Sequence, residues 1–164
     1  MDGVTINKGS SFRSFHLKSC LNSCIGLYFM GNNAKLLEYN DSSIITTGGI
    51  GIKVADVKFT ASDLRRTIFE DCEFNGVSFQ SCDMRGISFD GQVFMDVKFD
   101  NADLANSSFS GVILRNVFFR PTFALTNKYY KSLKTIDFDG ASMDKLTYAA
   151  LKGVGVSLEN IVLL

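Results

Sequence analysis

Large apolar residues recur at every fifth position through the middle of the chain. Between residues 59 and 119, thirteen consecutive steps of five meet Phe, Leu or Met, and nine of these thirteen residues are Phe. A period of five fits neither the turn of an α-helix nor the two-residue alternation of a long strand. The pattern therefore predicts a repeating unit made of a short extended piece followed by a bend.

A second inward position lies two residues before each large residue. It holds a small or β-branched residue in nearly every unit, and Gln92 is the exception. Because residues two apart in an extended segment point to the same side, the small and large residues should fill one interior. Two residues after the large one there is often a turn former, which tolerates the tight or left-handed backbone of a bend. These turn formers are Asp71, Gly76, Gly86, Gly91, Asp96, Asn101, Asn106, Gly111 and Asn116.

Some large inward positions hold Leu or Met in place of Phe, and their spacing indicates the length of one coil. Leu64, Met84 and Leu104 are 20 residues apart, and each follows an Asp, whereas steps of 15 show no such regularity. One coil is therefore predicted to hold four sides of five residues, with equivalent sides stacked about 4.8 Å apart. The predicted core columns contain Phe59, Phe79, Phe99 and Phe119; Phe69, Phe89 and Phe109; and Phe74, Phe94, Leu64, Met84, Leu104 and Leu114.

This pattern resembles the pentapeptide-repeat family, whose motif is commonly written A(D/N)LXX. The segments Asn101-Ala102-Asp103-Leu104 and Ser62-Asp63-Leu64 match that motif closely, and the resemblance runs through residues 57–121 without a break. It implies an all-β fold, a right-handed quadrilateral β-helix with 20 residues in each coil.

The five-residue spacing of large apolar residues is lost at Pro121 and resumes at Phe138. Because the step from Phe119 to Phe138 is one position short of a full coil, the solenoid is predicted to continue on the same side, with further coils over residues 136–164. The irregular segment 120–134 between them is predicted to form a projecting loop or one helical turn.

Upstream of the regular repeat, weaker matches to the same register predict degenerate coils that begin near residue 25. The β-helix is therefore predicted to span residues 25–164. Residues 1–24, the N-terminal lead, are predicted to be either a flexible segment or an irregular cap on the solenoid.

Composition and candidate ligands give no support for catalysis or for a cofactor. The chain has 164 residues, 46% of them hydrophobic, and a formal net charge of zero, so no global charge points to nucleic acid. His16, Cys20 and Cys24 are spaced by four and would share one face of a helix, but a fourth metal ligand is missing, which favours free thiols. No stretch is long and apolar enough for a membrane span. We therefore expect a protein that is not an enzyme and has no metal, no cofactor and no membrane span.

Three outward features are candidate partner surfaces. The first is the stacked row of Asp63, Asp83 and Asp103 with Arg65 and Arg85 close by, which is either a salt-bridged face or a binding strip. The second is a set of outward apolar side chains, and the third is the aromatic and basic part of the irregular segment. The residues of these last two features are Val93, Met95, Ile113, Phe118, Tyr129 and Tyr130.

Two functions compete at this stage. The first is a non-enzymatic scaffold that binds a protein, either a bacterial effector resembling those of type III secretion or the repeat module of one. The alternative is a DNA mimic that binds DNA gyrase or topoisomerase, for which residues 55–119 carry ten acidic and six basic residues, a net charge of −4. The expected location is the bacterial cytoplasm, or a host cell for a secreted effector. The open apolar end of the solenoid is expected to form a homodimer, to be covered by another element, or to continue into a longer protein. Direct nucleic-acid binding is not expected.

Overall fold

The computed structural model describes residues 53–65, 67–120 and 127–164, together with the backbone of six short strands between residues 18 and 50. In chain order the elements are β1 (Lys18–Cys20), β2 (Cys24–Gly26), β3 (Tyr28–Met30), β4 (Ala34–Lys35), β5 (Glu38–Asn40), β6 (Gly48–Ile50), β7 (Lys53–Ala55), β8 (Lys58–Thr60), β9 (Ile68–Glu70), β10 (Glu73–Asn75), β11 (Ser78–Gln80), β12 (Val93–Met95), β13 (Ile113–Arg115), α1 (Asn127–Leu133), β14 (Ser142–Met143), α2 (Lys145–Gly153) and β15 (Val162–Leu163).

The strands stack in parallel to form the walls of a four-sided solenoid. Wall one is a seven-stranded sheet with the spatial order β15-β14-β13-β12-β10-β7-β4. Wall two contains β5, β8 and β11 and continues through bridges at Lys98 and Phe118. Wall three is the row of bridges that joins Asp63 to Asp83 and Asp83 to Asp103. Wall four contains β3, β6 and β9 and continues through bridges that join Ser88 to Ser108 and Ser108 to Asp137.

One full coil runs through β7, β8, Asp63 and β9 before the chain returns to wall one at β10. In the regular part, the numbers of paired residues differ by twenty, as in Lys53 with Glu73 and Val93 with Ile113. Since the chain visits the walls in a fixed order, wall two lies opposite wall four. The predicted all-β solenoid, with four sides of five residues in each regular coil, is confirmed.

The interior is a stack of aromatic rings. Along wall two, the centroids of Phe59 and Phe79 are 5.1 Å apart, those of Phe79 and Phe99 are 5.2 Å apart, and the paired rings are nearly parallel. Rings on adjacent walls meet edge to face, as Phe89 and Phe94 do at 5.3 Å. Stacked and edge-to-face rings are both favourable arrangements for aromatic pairs. Burial of these rings supplies the main stabilising free energy, about 1.5–3 kcal/mol for each large side chain.

The corners of the square use left-handed backbone. All nine of the turn formers predicted from the sequence have a positive φ, for example +51° at Asp71 and +57° at Asn101. Gly76 is needed for a second reason, because a Cβ at this position would lie 2.7 Å from Oδ1 of Asp56. Three further corners, at Asp56, Ala61 and Ser81, adopt the same conformation.

Gln92, the residue that breaks the pattern of small inward side chains, bridges one corner. At several other corners a backbone N–H donates directly to the carbonyl three residues earlier, as from Ile87 to Met84. At the corner between Phe69 and Cys72, the side-chain amide of Gln92, one coil later, bridges the two groups. It accepts from the N–H of Cys72 and donates from Nε2 to the carbonyl of Phe69 at 3.2 Å. Nε2 also donates to the carbonyl of Asp90 at 2.9 Å. The buried amide is therefore hydrogen-bonded at both ends, which offsets the cost of burying it.

The last regular coil is longer than the spacing of Phe119 and Phe138 predicts. Ser108 pairs with Ser88 in the coil before it but with Asp137 in the coil after it, and Ile113 likewise pairs with Ser142. The ring of Phe138 therefore stacks on Phe109 at 5.5 Å, in the column of wall four. The prediction that Phe138 continues the Phe119 side was wrong, because the inserted segment lengthens this coil by nine positions and does not shorten it by one.

Helix α1 occupies the inserted segment and packs against the solenoid. Tyr129 and Leu133 are buried, and Ser132 Oγ donates to Asp103 Oδ1 at 3.0 Å. The N–H of Asn106 donates to Thr135 Oγ1 at 2.8 Å, just beyond the end of the helix. The helix thus covers the end of wall three. The described part of this segment is helical, which is one of the two forms predicted for it.

Helix α2 replaces the strand that the five-residue rhythm predicts around Tyr148. Asp144 is its N-cap and accepts from the N–H groups of Leu146 and Thr147 at 2.8 and 2.9 Å. Thr147 is buried over wall two, where its Oγ1 accepts from the N–H of Val117 at 3.2 Å. The predicted further coils over residues 136–164 therefore contain a helix where one wall would be.

The predicted lead over residues 1–24 lies outside the described residues except for β1 and the first residue of β2. These two strands pair antiparallel, with Cys20 opposite Cys24. The helical spacing considered for Cys20 and Cys24 therefore does not apply, and His16 lies outside the described residues.

Candidate functional site

Wall three carries a ladder of alternating carboxylates and guanidinium groups. Arg65 binds Asp63 through two bonds, Nε to Oδ1 at 2.9 Å and Nη2 to Oδ2 at 2.5 Å, and its Nε also lies 3.4 Å from Asp83 Oδ2. Arg85 repeats this arrangement one coil later, bound to Asp83 at 2.8 and 2.6 Å and 3.8 Å from Asp103 Oδ2. Each arginine thus joins two successive coils.

Protonation equilibria reflect this ladder. The hydrogen bond from Arg85, together with the charges of Arg85 and Arg65, lowers the pKa of Asp83 below its ordinary value. The hydrogen bond to Asp63 and the charges of Asp63 and Asp83 raise the pKa of Arg65. Asp83, Arg65 and Arg85 therefore stay charged at neutral pH, and the two arginines neutralise most of the negative charge of the stacked aspartates.

Wall one carries an apolar patch, which we define as Val93, Met95 and Ile113. Val93 and Ile113 are paired in adjacent strands, and Met95 lies on the same strand as Val93. All three side chains point outward and are half-buried. In the two coils below the patch, Lys53 Nζ and Glu73 Oε2 form an ion pair at 2.8 Å. On the opposite side, the exposed Arg115 is the register partner of Met95, so charged side chains flank the apolar patch along the wall.

Phe118 and the two tyrosines do not join that patch. Phe118 lies on wall two, where the Arg120 guanidinium stands 4.3 Å from the centre of its ring. Tyr129 is only 7% exposed, so this predicted contact residue faces the core. Burial and the nearby charge of Asp100 raise its pKa. Tyr130 is half-buried beside it, with ring centroids 6.0 Å apart.

Wall four has an acidic surface that the sequence analysis did not single out. Its described outward positions from β9 onward contain four carboxylates and no Lys or Arg: Ile68, Glu70, Ser88, Asp90, Ser108, Ser110, Asp137 and Asp139. None of these carboxylates forms an ion pair with another described residue. The regular spacing of Glu70 and Asp90, one coil apart, was a signal for this surface in the sequence.

Hydrogen bonds organise the carboxylate of Asp90. Burial alone would raise the pKa of Asp90, but bonds from Ser108, Ser88 and the Ser110 N–H outweigh it and hold the pKa below its ordinary value. Asp139 Oδ1 accepts from Asn160 Nδ2 at 2.8 Å. The Asp90 side chain is therefore ionised at neutral pH, and hydrogen bonds hold both carboxylates in place.

The described residues hold few groups suited to metal or thiol chemistry. No cluster of three or more His, Cys, Asp or Glu side chains among them could hold a metal ion. Cys72 and Cys82 are buried thiols, and burial raises the pKa of Cys82 to about 11, although a hydrogen bond with the Ser62 backbone opposes this. Neither α1 nor α2 combines the length and apolar character of a membrane-crossing helix.

Part of the chain matches the model of a known family. The family model described as pentapeptide repeat region matches residues 52–127. No curated protein matches the sequence significantly. A crystal structure of the pentapeptide repeat protein Rfr23 from the cyanobacterium Cyanothece 51142 is 13% identical, with 84% of this chain and 91% of that chain covered and a TM-score of 0.41.

Two structures of trypsin-treated variants of QnrB1, a plasmid-mediated fluoroquinolone resistance protein, are also similar to this chain. One variant is 12% identical over 81% of this chain and 99% of that chain, with a TM-score of 0.23. The other variant is 15% identical over 82% of this chain and 92% of that chain, with a TM-score of 0.25. The similarity to the pentapeptide-repeat model therefore lies in residues 52–127, and the described part of this range belongs to the four-walled all-β solenoid.

Proposed function

We propose that this protein is a non-enzymatic scaffold that binds another protein through wall one. The observation that carries the proposal is the apolar patch of Val93, Met95 and Ile113, which points outward from paired strands. Contiguous outward apolar side chains are a feature of contact surfaces. The wall beneath them is anchored by buried rings such as Phe94, so little conformational entropy is lost when a partner binds.

The surroundings of the patch support this proposal. The Lys53–Glu73 ion pair borders it on one side, and Ser142 follows Ile113 on the other. An apolar centre with a polar rim is the usual composition of a protein–protein interface. The proposal includes a bacterial effector, or the repeat module of one, acting in the bacterial cytoplasm or in a host cell.

Affinity capture with matched variants tests the proposal. The protein and its Val93→Ser/Ile113→Ser double variant are used to capture proteins from bacterial and host-cell lysates. Leu146→Ser is the control, because Leu146 is a 63% exposed apolar residue outside the patch. We expect a protein that the parent and the control retain and the double variant loses. Equal capture by all three proteins would show that the patch is not the binding surface.

A homodimer is part of the same proposal. Val162 and Leu163 of β15 are 57% and 50% exposed at the edge of the seven-stranded sheet. Sedimentation of the parent and of Leu163→Asp tests it. We expect a dimer that the substitution converts to a monomer, and a parent that sediments as a monomer at high concentration would contradict it.

The DNA-mimic function is the second candidate, and the carboxylates of wall four are the observation in its favour. Wall three is less suitable, because Arg65 and Arg85 neutralise its aspartates. A DNA gyrase supercoiling assay with added protein tests this candidate directly. Inhibition or protection that disappears in Asp90→Asn would support it, and no effect at high molar excess would eliminate it.

A further inference from the structure

We infer that wall four is a second docking surface, and that it fits a protein segment in which an apolar anchor is followed by Lys or Arg residues. The inference goes beyond the proposed scaffold function, because it concerns a different wall and states the chemistry of the partner. It rests on a groove that contains the exposed side chain of Ile68 and on a row of carboxylates that continues from that groove.

The groove forms around Ile68, which is 59% exposed on the wall. Gly48 is its register partner in the coil below, and Gly49 likewise lies below Phe69, so neither partner has a side chain that could cover the position above it. Phe69 is only half-buried, although Phe89 stacks on its other face at 5.6 Å. The resulting groove has a volume of about 450 Å³, with Ile68, Phe69, Thr67, Ile87, Glu70 and Arg65 among its lining residues.

The carboxylates begin at the groove and continue up the wall. Glu70 lines the groove, Asp71 is the next residue, and Asp90 and Asp139 occupy the same outward column in later coils. None of them is paired with a cation among the described residues. From Glu70 to Asp139 there are three coil steps, which at about 4.8 Å each cover about 14 Å.

Charge complementarity defines the occupant. A wall whose described outward positions hold several carboxylates and no Lys or Arg attracts a cationic segment and repels an anionic one. An extended segment rises about 3.3 Å per residue, so four or five residues match the row of about 14 Å. The uncovered Ile68 and Phe69 at one end of the row give an apolar side chain of the same segment a place to be buried. Neither feature alone would select a sequence that is both apolar and basic.

The probe for this inference is a fluorescein-labelled synthetic peptide in which two leucines precede three lysines at alternate positions. Its binding to the full chain is measured by fluorescence anisotropy at low and high salt. Two matched peptides, with serines in place of the leucines or glutamates in place of the lysines, are measured in parallel. We expect the first peptide alone to bind well, with an affinity that falls as salt rises.

Variants of the protein locate the binding. We expect Ile68→Ser and the double variant Glu70→Gln/Asp90→Asn each to weaken the affinity at least tenfold. The controls Leu146→Ser and Asp96→Asn, which change an exposed apolar residue and an exposed carboxylate elsewhere, should bind as the parent does. The wall-one variant Val93→Ser/Ile113→Ser should also bind the peptide normally, which keeps this test separate from that of the scaffold function.

Three results would overturn the inference. The first is no binding of the leucine–lysine peptide by the folded parent protein, with folding checked by circular dichroism. The second is an equal loss of affinity in the control variants. The third is full binding by Ile68→Ser together with lost binding by Glu70→Gln/Asp90→Asn, because the wall would then act by charge alone, as a DNA mimic does.

Discussion

At the scale of single residues, the backbone conformation of the corners explains much of the repeat. The corner position has a positive φ whether it is occupied by Gly, Asn, Asp, Ser or Ala. Asn and Asp tolerate this region better than other residues with a Cβ, and Gly has no steric penalty there. Ala61, with a φ of +50°, is thus a strained member of an otherwise well-adapted set.

Substitution of Ala61 by Gly should stabilise the protein. The left-handed conformation costs an L-residue about 1–2 kcal/mol, and Gly removes that cost while adding some entropy to the unfolded chain. We expect the free energy of unfolding in denaturant to rise by about 0.5–1 kcal/mol. Ala105→Gly is the control, because Ala105 does not have a positive φ, and it should lower the stability. A loss of stability in Ala61→Gly would contradict this account of the corners.

Replacement of Gln92 by Met should weaken the corner that its amide bridges. Methionine has a similar volume, but it cannot accept from the Cys72 N–H or donate to the Phe69 carbonyl. Loss of a buried hydrogen-bonding partner costs about 1–3 kcal/mol, and we expect a decrease of that size in urea unfolding. Gln80→Met, at an outward position on wall two, is the matched control. Equal stability of both variants would show that the amide is not needed.

At the scale of elements, the arginines of wall three connect one coil to the next. The lowered pKa of Asp83 means that its ionised form is favoured in the folded state. Its contribution to stability is therefore present above its ordinary pKa of about 4 and is lost as pH falls through the lower folded value.

Arg85→Gln should reduce this dependence on acid. The hydrogen bond from Arg85 is the largest cause of the lowered pKa of Asp83, and it disappears in this variant. We expect the free energies of unfolding of the parent and Arg85→Gln to differ most at neutral pH and to converge below about pH 4. Lys98→Gln is the control, since Lys98 forms no ion pair within the described residues. A difference between parent and Arg85→Gln that stays constant from acid to neutral pH would contradict the ladder's role.

At the scale of the whole molecule, each coil is stabilised by its two neighbours, as in other solenoids. Strand β12 lies between β10 and β13, whereas β15 pairs only with β14 among the described strands. Stability should therefore be greatest in the middle of the stack and least at β15.

Hydrogen exchange measured by mass spectrometry should show this gradient. We expect the amides of β12 to exchange at least tenfold more slowly than those of β15, because only β12 is covered by strands on both sides. A protein that exchanges uniformly along the stack would unfold as one cooperative unit, and that result would contradict the nearest-neighbour description.

The regular coils were predictable because their information is local and repeated. Each five-residue unit contains its own inward pair and its own corner, so Phe59 and Phe79 are related by sequence spacing alone. The two helices could not be predicted from these five-residue units. In α2 the rhythm of apolar residues persists through Tyr148, but the N-cap at Asp144 and the burial of Thr147 favour a helix.

By itself, the sequence determined the period, the four walls, the inward columns and the corners, because each depends on residues within one coil. Only the tertiary structure decided that the lengthened coil runs from Ser108 to Asp137, that Asp137 and Asp139 therefore join Asp90 on wall four, and that Tyr129 is buried. These features depend on how neighbouring coils and helices pack against each other, and no local pattern records that.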